Sequence, residues 1–269
     1  MNLNEQLFIA VKAATEAGEA IMQVYHSANF GVEMKSDNSP LTLADKKAHR
    51  IIVSYLKTTE IPILSEEGEH EKYSARKNRE LFWLVDPLDG TKEFIKKNDE
   101  FTVNIALIDV DKPIAGVIYV PVLKQIYIGT PQAGAFKLED FTTARWSNFR
   151  ELPDLLNTGR KLPLQKGDRN YTAVGSRSHL SDETLEFMDS LKKKYGQVDI
   201  ISKGSSLKLC MVAEGKADIY PRFGPTMEWD TGAGDAIVRA MGGSVLKENG
   251  EPLKYNKKNL LNPYFIVKK

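Results

Sequence analysis

A chain of 269 residues with 42% hydrophobic and 27% charged side chains reads as an ordinary globular protein, with enough apolar content for one large core or two smaller ones. Its formal net charge of +1 removes any global electrostatic argument for binding nucleic acid or a membrane surface, leaving only local basic patches. The single cysteine, Cys210, cannot form an intramolecular disulfide, which fits a reducing, cytoplasmic compartment.

Met1 to Gln6 is polar, and Lys12, Glu16 and Glu19 follow, so neither a signal peptide nor a transit peptide is expected. No apolar run approaches the roughly 20 residues that span a bilayer; peripheral association with the cytoplasmic face of a membrane stays open. Leu7, Val11, Ala14, Ala17, Ile21 and Val24 recur at helical spacing, with Gly18 a slight weakness. After a polar turn, Thr42 reads as the N-cap of a second helix whose apolar face is Ala48, Ile51, Ile52, Tyr55 and Leu56; Asp45 at N3 would complete the cap. Ile61 to Leu64 is a short strand running into Ser65-Glu66-Glu67-Gly68. Leu81 to Val85 is continuously apolar, as in a strand buried on both faces, and ends at Asp86. Phe101 to Ile108, Ile114 to Val120 and Gln125 to Thr130 continue an antiparallel or mixed sheet.

From Phe141 to Asn170 the sequence is polar and aperiodic, which suggests a connection between domains or a surface insertion. Beyond it strands and helices alternate. Tyr171 to Val174, Val198 to Ile201, Asp218 to Tyr220 and Tyr264 to Val267 read as strands. Asp182 to Tyr195, Ser205 to Glu214 and Thr231 to Met241 read as helices. The class is therefore α/β, with an α+β domain over 1–145 and an α/β domain over 146–269.

The chemistry concentrates where the buried strand ends. Asp86-Pro87-Leu88-Asp89-Gly90-Thr91 is a stiff turn with two carboxylates beside a core, a costly arrangement unless something neutralises them. Mg²⁺ takes oxygen ligands and shares them with substrate phosphate. Glu66 follows another short strand, and Asp230 precedes a helix, where it could equally serve as N-cap. Glu66, Asp86, Asp89 and Asp230 together carry the charge that two Mg²⁺ ions would neutralise. Arg177, His179, Lys203, Lys208 and Arg222 are basic candidates for a second phosphate.

Glu66-Glu67, the Asp86–Thr91 string and Trp229-Asp230-Thr231-Gly232-Ala233 resemble the three signature elements of the inositol monophosphatase superfamily, lithium-sensitive and magnesium-dependent. Gly175-Ser176-Arg177-Ser178-His179, the segment Gly204 to Cys210 and the segment Tyr220 to Thr226 resemble its 3'(2'),5'-bisphosphate nucleotidase branch, of the bacterial type. The resemblance implies a layered αβαβα sandwich of the sugar-phosphatase kind. It implies hydrolysis of adenosine 3',5'-bisphosphate to AMP and phosphate, action on 3'-phosphoadenylyl sulfate, and a place in sulfur metabolism. It makes Glu66, Asp86 and the Leu88 carbonyl ligands of one Mg²⁺ and Asp86, Asp89 and Asp230 ligands of a second, with a third, weaker ion near Glu66. Thr91, oriented by Asp45, would help activate water together with Glu66. The Gly90 and Thr91 amides would hold the scissile phosphate, beside Glu66, Leu88, Asp89 and Asp230. His179, Gly204, Lys208 and Arg177 would face the nucleotide. Two other readings stand beside this one: an inositol or sugar monophosphatase with the same metal centre, and a non-catalytic sensor of a phosphorylated nucleotide. The partner expected in the first reading is a small nucleotide bisphosphate, not nucleic acid.

Overall fold

The computed structural model describes residues 1–35, 39–69, 71–165, 167–176 and 181–269. The first helix, α1 (Leu3–Tyr25), is capped reciprocally by Asn2 and Glu5 and buries the predicted apolar stripe. A two-stranded ribbon, β1 (Glu33–Met34) and β2 (Pro40–Leu41), leads into α2 (Leu43–Leu56). Thr42 caps α2 as expected: its hydroxyl accepts the Ala44 and Asp45 N–H groups while Asp45 reaches back to the Thr42 N–H.

A seven-stranded sheet follows, built from β3 (Ile63–Ser65), β4 (Leu81–Asp89), β5 (Thr102–Asp109), β6 (Lys112–Val120), β7 (Gln125–Thr130), β8 (Gly134–Leu138) and β9 (Arg160–Lys161) in that spatial order. Only β3 and β4 run parallel; the rest is a meander, so the mixed sheet read from the sequence is what forms. Short helices α3 (Tyr73–Arg76), α4 (Thr91–Ile95) and α5 (Leu152–Leu156) sit in its connections. A second, five-stranded sheet has the order β11-β10-β12-β14-β13, from β10 (Tyr171–Ser176), β11 (Val198–Lys203), β12 (Ile219–Arg222), β13 (Ser244–Lys247) and β14 (Phe265–Lys268). Helices α6 (Asp182–Tyr195), α7 (Leu207–Glu214) and α8 (Glu228–Ala240) alternate with these strands.

The layers are helix, sheet, helix, sheet, helix. Helices α1 and α2 cover one face of the first sheet, α8 lies across its other face beside α7, the second sheet packs beyond, and α6 covers the far side. One apolar core lies between α1, α2 and the first sheet; another lies between that sheet, α7, α8 and the second sheet. Cys210 is buried in the latter.

Three expectations change. The segment 141–170, read as a connection or a surface insertion, runs from the first sheet to the second and is not an insertion: Phe141, Leu152, Leu155 and Leu156 are buried under α1, and Glu19 accepts the Thr143 N–H at 3.1 Å. Leu152, Leu155 and Leu156 do stand at helical spacing, but α5 is only five residues long, too short for a period to stand out from the polar stretch around it. The strand β4 does not stop at Asp86 but runs on to Asp89. Helix α8 starts at Glu228, so Asp230 stands in its first turn rather than at its N-cap; its carboxylate accepts the Met227 N–H at 2.8 Å.

Candidate active site

Asp86 and Asp89 are three residues apart, and in a regular strand they would point to opposite faces. They do not, because β4 is bulged. Asp86 pairs with Asn104 and Asp89 with Thr102, so two residues of β4 face one of β5 between those pairs. The extra residue brings both carboxylates to the same side. Asp86 Oδ1 accepts the Leu88 N–H at 3.0 Å, which stiffens the bulge. Gly90 then turns the chain with φ of +95°, and a Cβ there would stand 2.9 Å from the Glu100 carbonyl oxygen.

Helix α8 delivers Asp230 from the opposite side. One oxygen each from Asp86, Asp89 and Asp230 lie within 4.8 Å of one another. Burial first, and then the carboxylates of Glu66, Asp89 and Asp230, push Asp86 well above the ordinary carboxylate range. Asp230 is pushed up the same way, by burial and then by Asp89 and Glu66. Two buried acids that resist ionising, with a third carboxylate beside them, suit a hard divalent cation, and the donor set is all oxygen.

Asp89 is gripped from the second half of the chain. Its Oδ2 accepts from Ser206 N at 2.7 Å, from Ser205 Oγ at 2.8 Å and from Asn104 Nδ2 at 3.3 Å. Ser206 Oγ lies 2.8 Å from both Asp89 Oδ2 and the Asp230 carbonyl, and has one proton to give to either. A cation held by Asp89 would therefore draw on its other oxygen.

Glu66 stands beside this group rather than in it. Its backbone N–H bonds to Val85 O at 3.0 Å where β3 meets β4, and its carboxyl shares a hydrogen bond with Asp86. Burial raises its pKa, opposed by the Lys35 ammonium 2.8 Å from Oε1. Lys35 also pairs with Glu67.

Asp45 closes the cap of α2 and also bonds Thr91. Oδ2 accepts the Thr42 N–H at 2.7 Å and the Thr42 hydroxyl at 2.5 Å, while Oδ1 lies 3.1 Å from Thr91 Oγ1. Burial dominates in raising its pKa. Thr91 Oγ1 is also 3.3 Å from the Leu88 carbonyl.

Asp89, Gly90 and Asp230 open onto a cavity of about 150 Å³ whose other wall includes Gly204, Lys208 and Arg222. Lys208 is buried; its Nζ donates to Ser205 O at 2.6 Å and sits 5.5 Å over the Tyr220 ring. Burial lowers its pKa to about 8. Arg222 is 9% exposed and bonds Pro225 O at 2.7 Å, while its Nε has no hydrogen-bond partner among the described residues. Arg177 and His179, expected beside the nucleotide, lie outside the described residues.

Sequence reasoning missed the residues that hold Asp89, namely Asn104, Ser205 and Ser206. A signal was there: Thr102 and Asn104 are polar, alternate along an apolar strand, and are fully buried.

Comparison with known proteins completes the description. The profile of the inositol monophosphatase family matches residues 2–264. The 3'(2'),5'-bisphosphate nucleotidase CysQ of Escherichia coli O157:H7 is 46% identical over 259 residues, covering 94% of this chain and 96% of that protein. The crystal structure of CysQ from Bacteroides thetaiotaomicron superposes with a TM-score of 0.92 at 48% identity, over 99% of this chain and 97% of that one. The inositol monophosphatase of Anabaena (Nostoc) sp. PCC 7120 has a TM-score of 0.69 at 23% identity, covering 97% and 89%, and shares the fold. Among the described residues, no helix is long and apolar enough to cross a membrane.

Proposed function

The chain belongs to the inositol monophosphatase family, and from that membership we propose that it is a 3'(2'),5'-bisphosphate nucleotidase, cleaving the 3'-phosphate of adenosine 3',5'-bisphosphate to give AMP and phosphate. One observation carries the substrate assignment beyond the family: the acidic cluster opens into a cavity that also holds buried Lys208 and Arg222. Such a site is anionic at one end, for cations and the scissile phosphate, and cationic at the other, for a second phosphate.

The residues present fit Mg²⁺. Asp86, Asp89, Asp230 and Glu66, with the Leu88 carbonyl, would hold two ions, and Glu66 a weaker third. Bound there, Mg²⁺ supplies Lewis-acid activation of water and of the phosphate ester and offsets the charge developing on the ribose oxygen. The chain's own part is positioning and proton transfer. The Thr91 hydroxyl can donate to Asp45 Oδ1, which leaves its lone pairs to accept a hydrogen bond from the attacking water; as the water's proton moves to Thr91 Oγ1, the hydroxyl's own proton would pass to Asp45 Oδ1. The Gly90 and Thr91 amides orient the phosphoryl oxygens, and a loose transition state asks for little else. Lys208 and Arg222 would bind the phosphate that stays, with Gly204 beside them, and Arg177 and His179 are proposed to add to this end.

A phosphate-release assay in Mg²⁺ comparing adenosine 3',5'-bisphosphate with inositol 1-phosphate tests the reading. The nucleotide is expected to have the higher kcat/KM; a preference for the inositol ester would overturn the substrate assignment while leaving the metal centre intact.

A further inference from the structure

The serine donors on Asp89 come from the turn between β11 and α7, which belongs to the other sheet, so that turn must itself be held. It is not a relaxed one: Ser205 has φ of +51°, a left-handed conformation uncommon outside glycine. Glu100, two residues ahead of β5, reaches across to it. Its side chain is buried, with Oε2 accepting the Gly204 N–H at 2.8 Å and Oε1 lying 3.1 Å from Lys203 Nζ. Thr102 Oγ1, from the same stretch of chain, is 2.6 Å from Ser205 Oγ. The turn in turn places the cavity's ammonium, because Lys208 Nζ donates to the carbonyls of Lys203 and Ser205.

We propose that Glu100 is a positioning residue. Its carboxylate clamps the 204–206 turn of the second sheet against the first, and so sets both the donors on Asp89 and the position of Lys208. A carboxylate suits the task because a charge-assisted bond to a backbone N–H is stronger than a neutral one. The catalytic consequence rests on the phosphatase reading; the consequence for cation binding does not.

Glu100→Met preserves volume and removes the acceptor, whereas Glu100→Gln keeps an acceptor oxygen. Mg²⁺ affinity by isothermal titration calorimetry is measured beside KM and kcat for adenosine 3',5'-bisphosphate. Glu100→Met is expected to weaken Mg²⁺ binding by about tenfold to a hundredfold, as loss of a partner behind a ligand generally does, and to raise KM. Glu100→Gln is expected to recover most of that loss. Gly204→Ala gives a second route with the carboxylate intact: its methyl would stand 2.9 Å from Glu93 Cγ and 3.1 Å from Glu100 Cβ, pushing the turn away. It should weaken Mg²⁺ in the same way, and it decides the matter should Glu100→Met fail to fold. Unchanged Mg²⁺ affinity in Gly204→Ala or in a folded Glu100→Met, or a Gln variant no better than Met, would overturn the clamp. If the wild type cleaves no bisphosphate while the Mg²⁺ affinities follow this pattern, the clamp stands and the substrate reading falls.

Discussion

Asp86 is buried among three other acids, and this makes a prediction about protons. A raised pKa means that the folded chain, without metal, binds more protons than the unfolded chain above the ordinary carboxylate value of about 4. Its contribution to stability is therefore full below that value and is lost as pH rises through the folded pKa. In a chelating buffer, the wild-type Tm should fall relative to Asp86→Asn from about pH 4 upward. Saturating Mg²⁺ should remove this loss, because the cation takes the place of the protons. Parallel Tm curves for the two proteins in chelator would refute it. The Asp86–Thr91 string was legible in the sequence because an apolar strand delivering paired carboxylates is chemically odd. Glu100 was not, because a lone glutamate between Asp99 and Phe101 looks like any surface charge until a chain segment more than a hundred residues later is folded against it.

Helix α2 shows how one short motif makes two sets of contacts. The same Thr42–Asp45 box that starts the helix also aims Asp45 at Thr91. Thr42→Ala is expected to cost about 1 kcal/mol in denaturant unfolding, the usual loss of an N-cap. On the proposed role of Asp45 behind Thr91, it should also lower kcat by roughly tenfold or more, since small misplacements of a catalytic constellation are expensive. Thr42→Ser should restore both. A stability loss with unchanged kcat would reduce Asp45 to a capping residue. Helices of this kind could be read directly, because cap chemistry and period coincide in the sequence. Strand β4 could not be followed to its end, because the bulge that carries it to Asp89 exists only in its pairing with β5. The same holds for β8 and β13, which are too short and too mixed to announce themselves.

At the scale of the whole molecule, the two sheets must keep their spacing for the site to exist, since β4 brings Asp86 and Asp89 while α8 brings Asp230. A buried polar group ties the layers together. Glu214, at the end of α7, accepts from the Tyr127 hydroxyl of β7 and lies 3.3 Å from Lys137 Nζ of β8, all three side chains being buried. Glu214→Ala leaves buried Lys137 with exposed Glu139 at 3.2 Å, and the Tyr127 hydroxyl with Gln125 at 3.3 Å, so it should destabilise the protein by about 2 kcal/mol or more in urea unfolding. A loss near zero would show that the junction is held by apolar packing alone. Alternating strands and helices marked the second half as α/β and the family resemblance implied the layers, but neither pointed to this tie, whose members are scattered over three elements. The divided origin of the ligands also bears on biosynthesis. A nascent chain that has emerged only as far as the first sheet carries Asp86 and Asp89 yet lacks Asp230 and the serines that orient Asp89. On the proposed ligand set, all three carboxylates can close on a cation only after α8 has left the ribosome and packed against the first sheet, so binding would report that this return has been made.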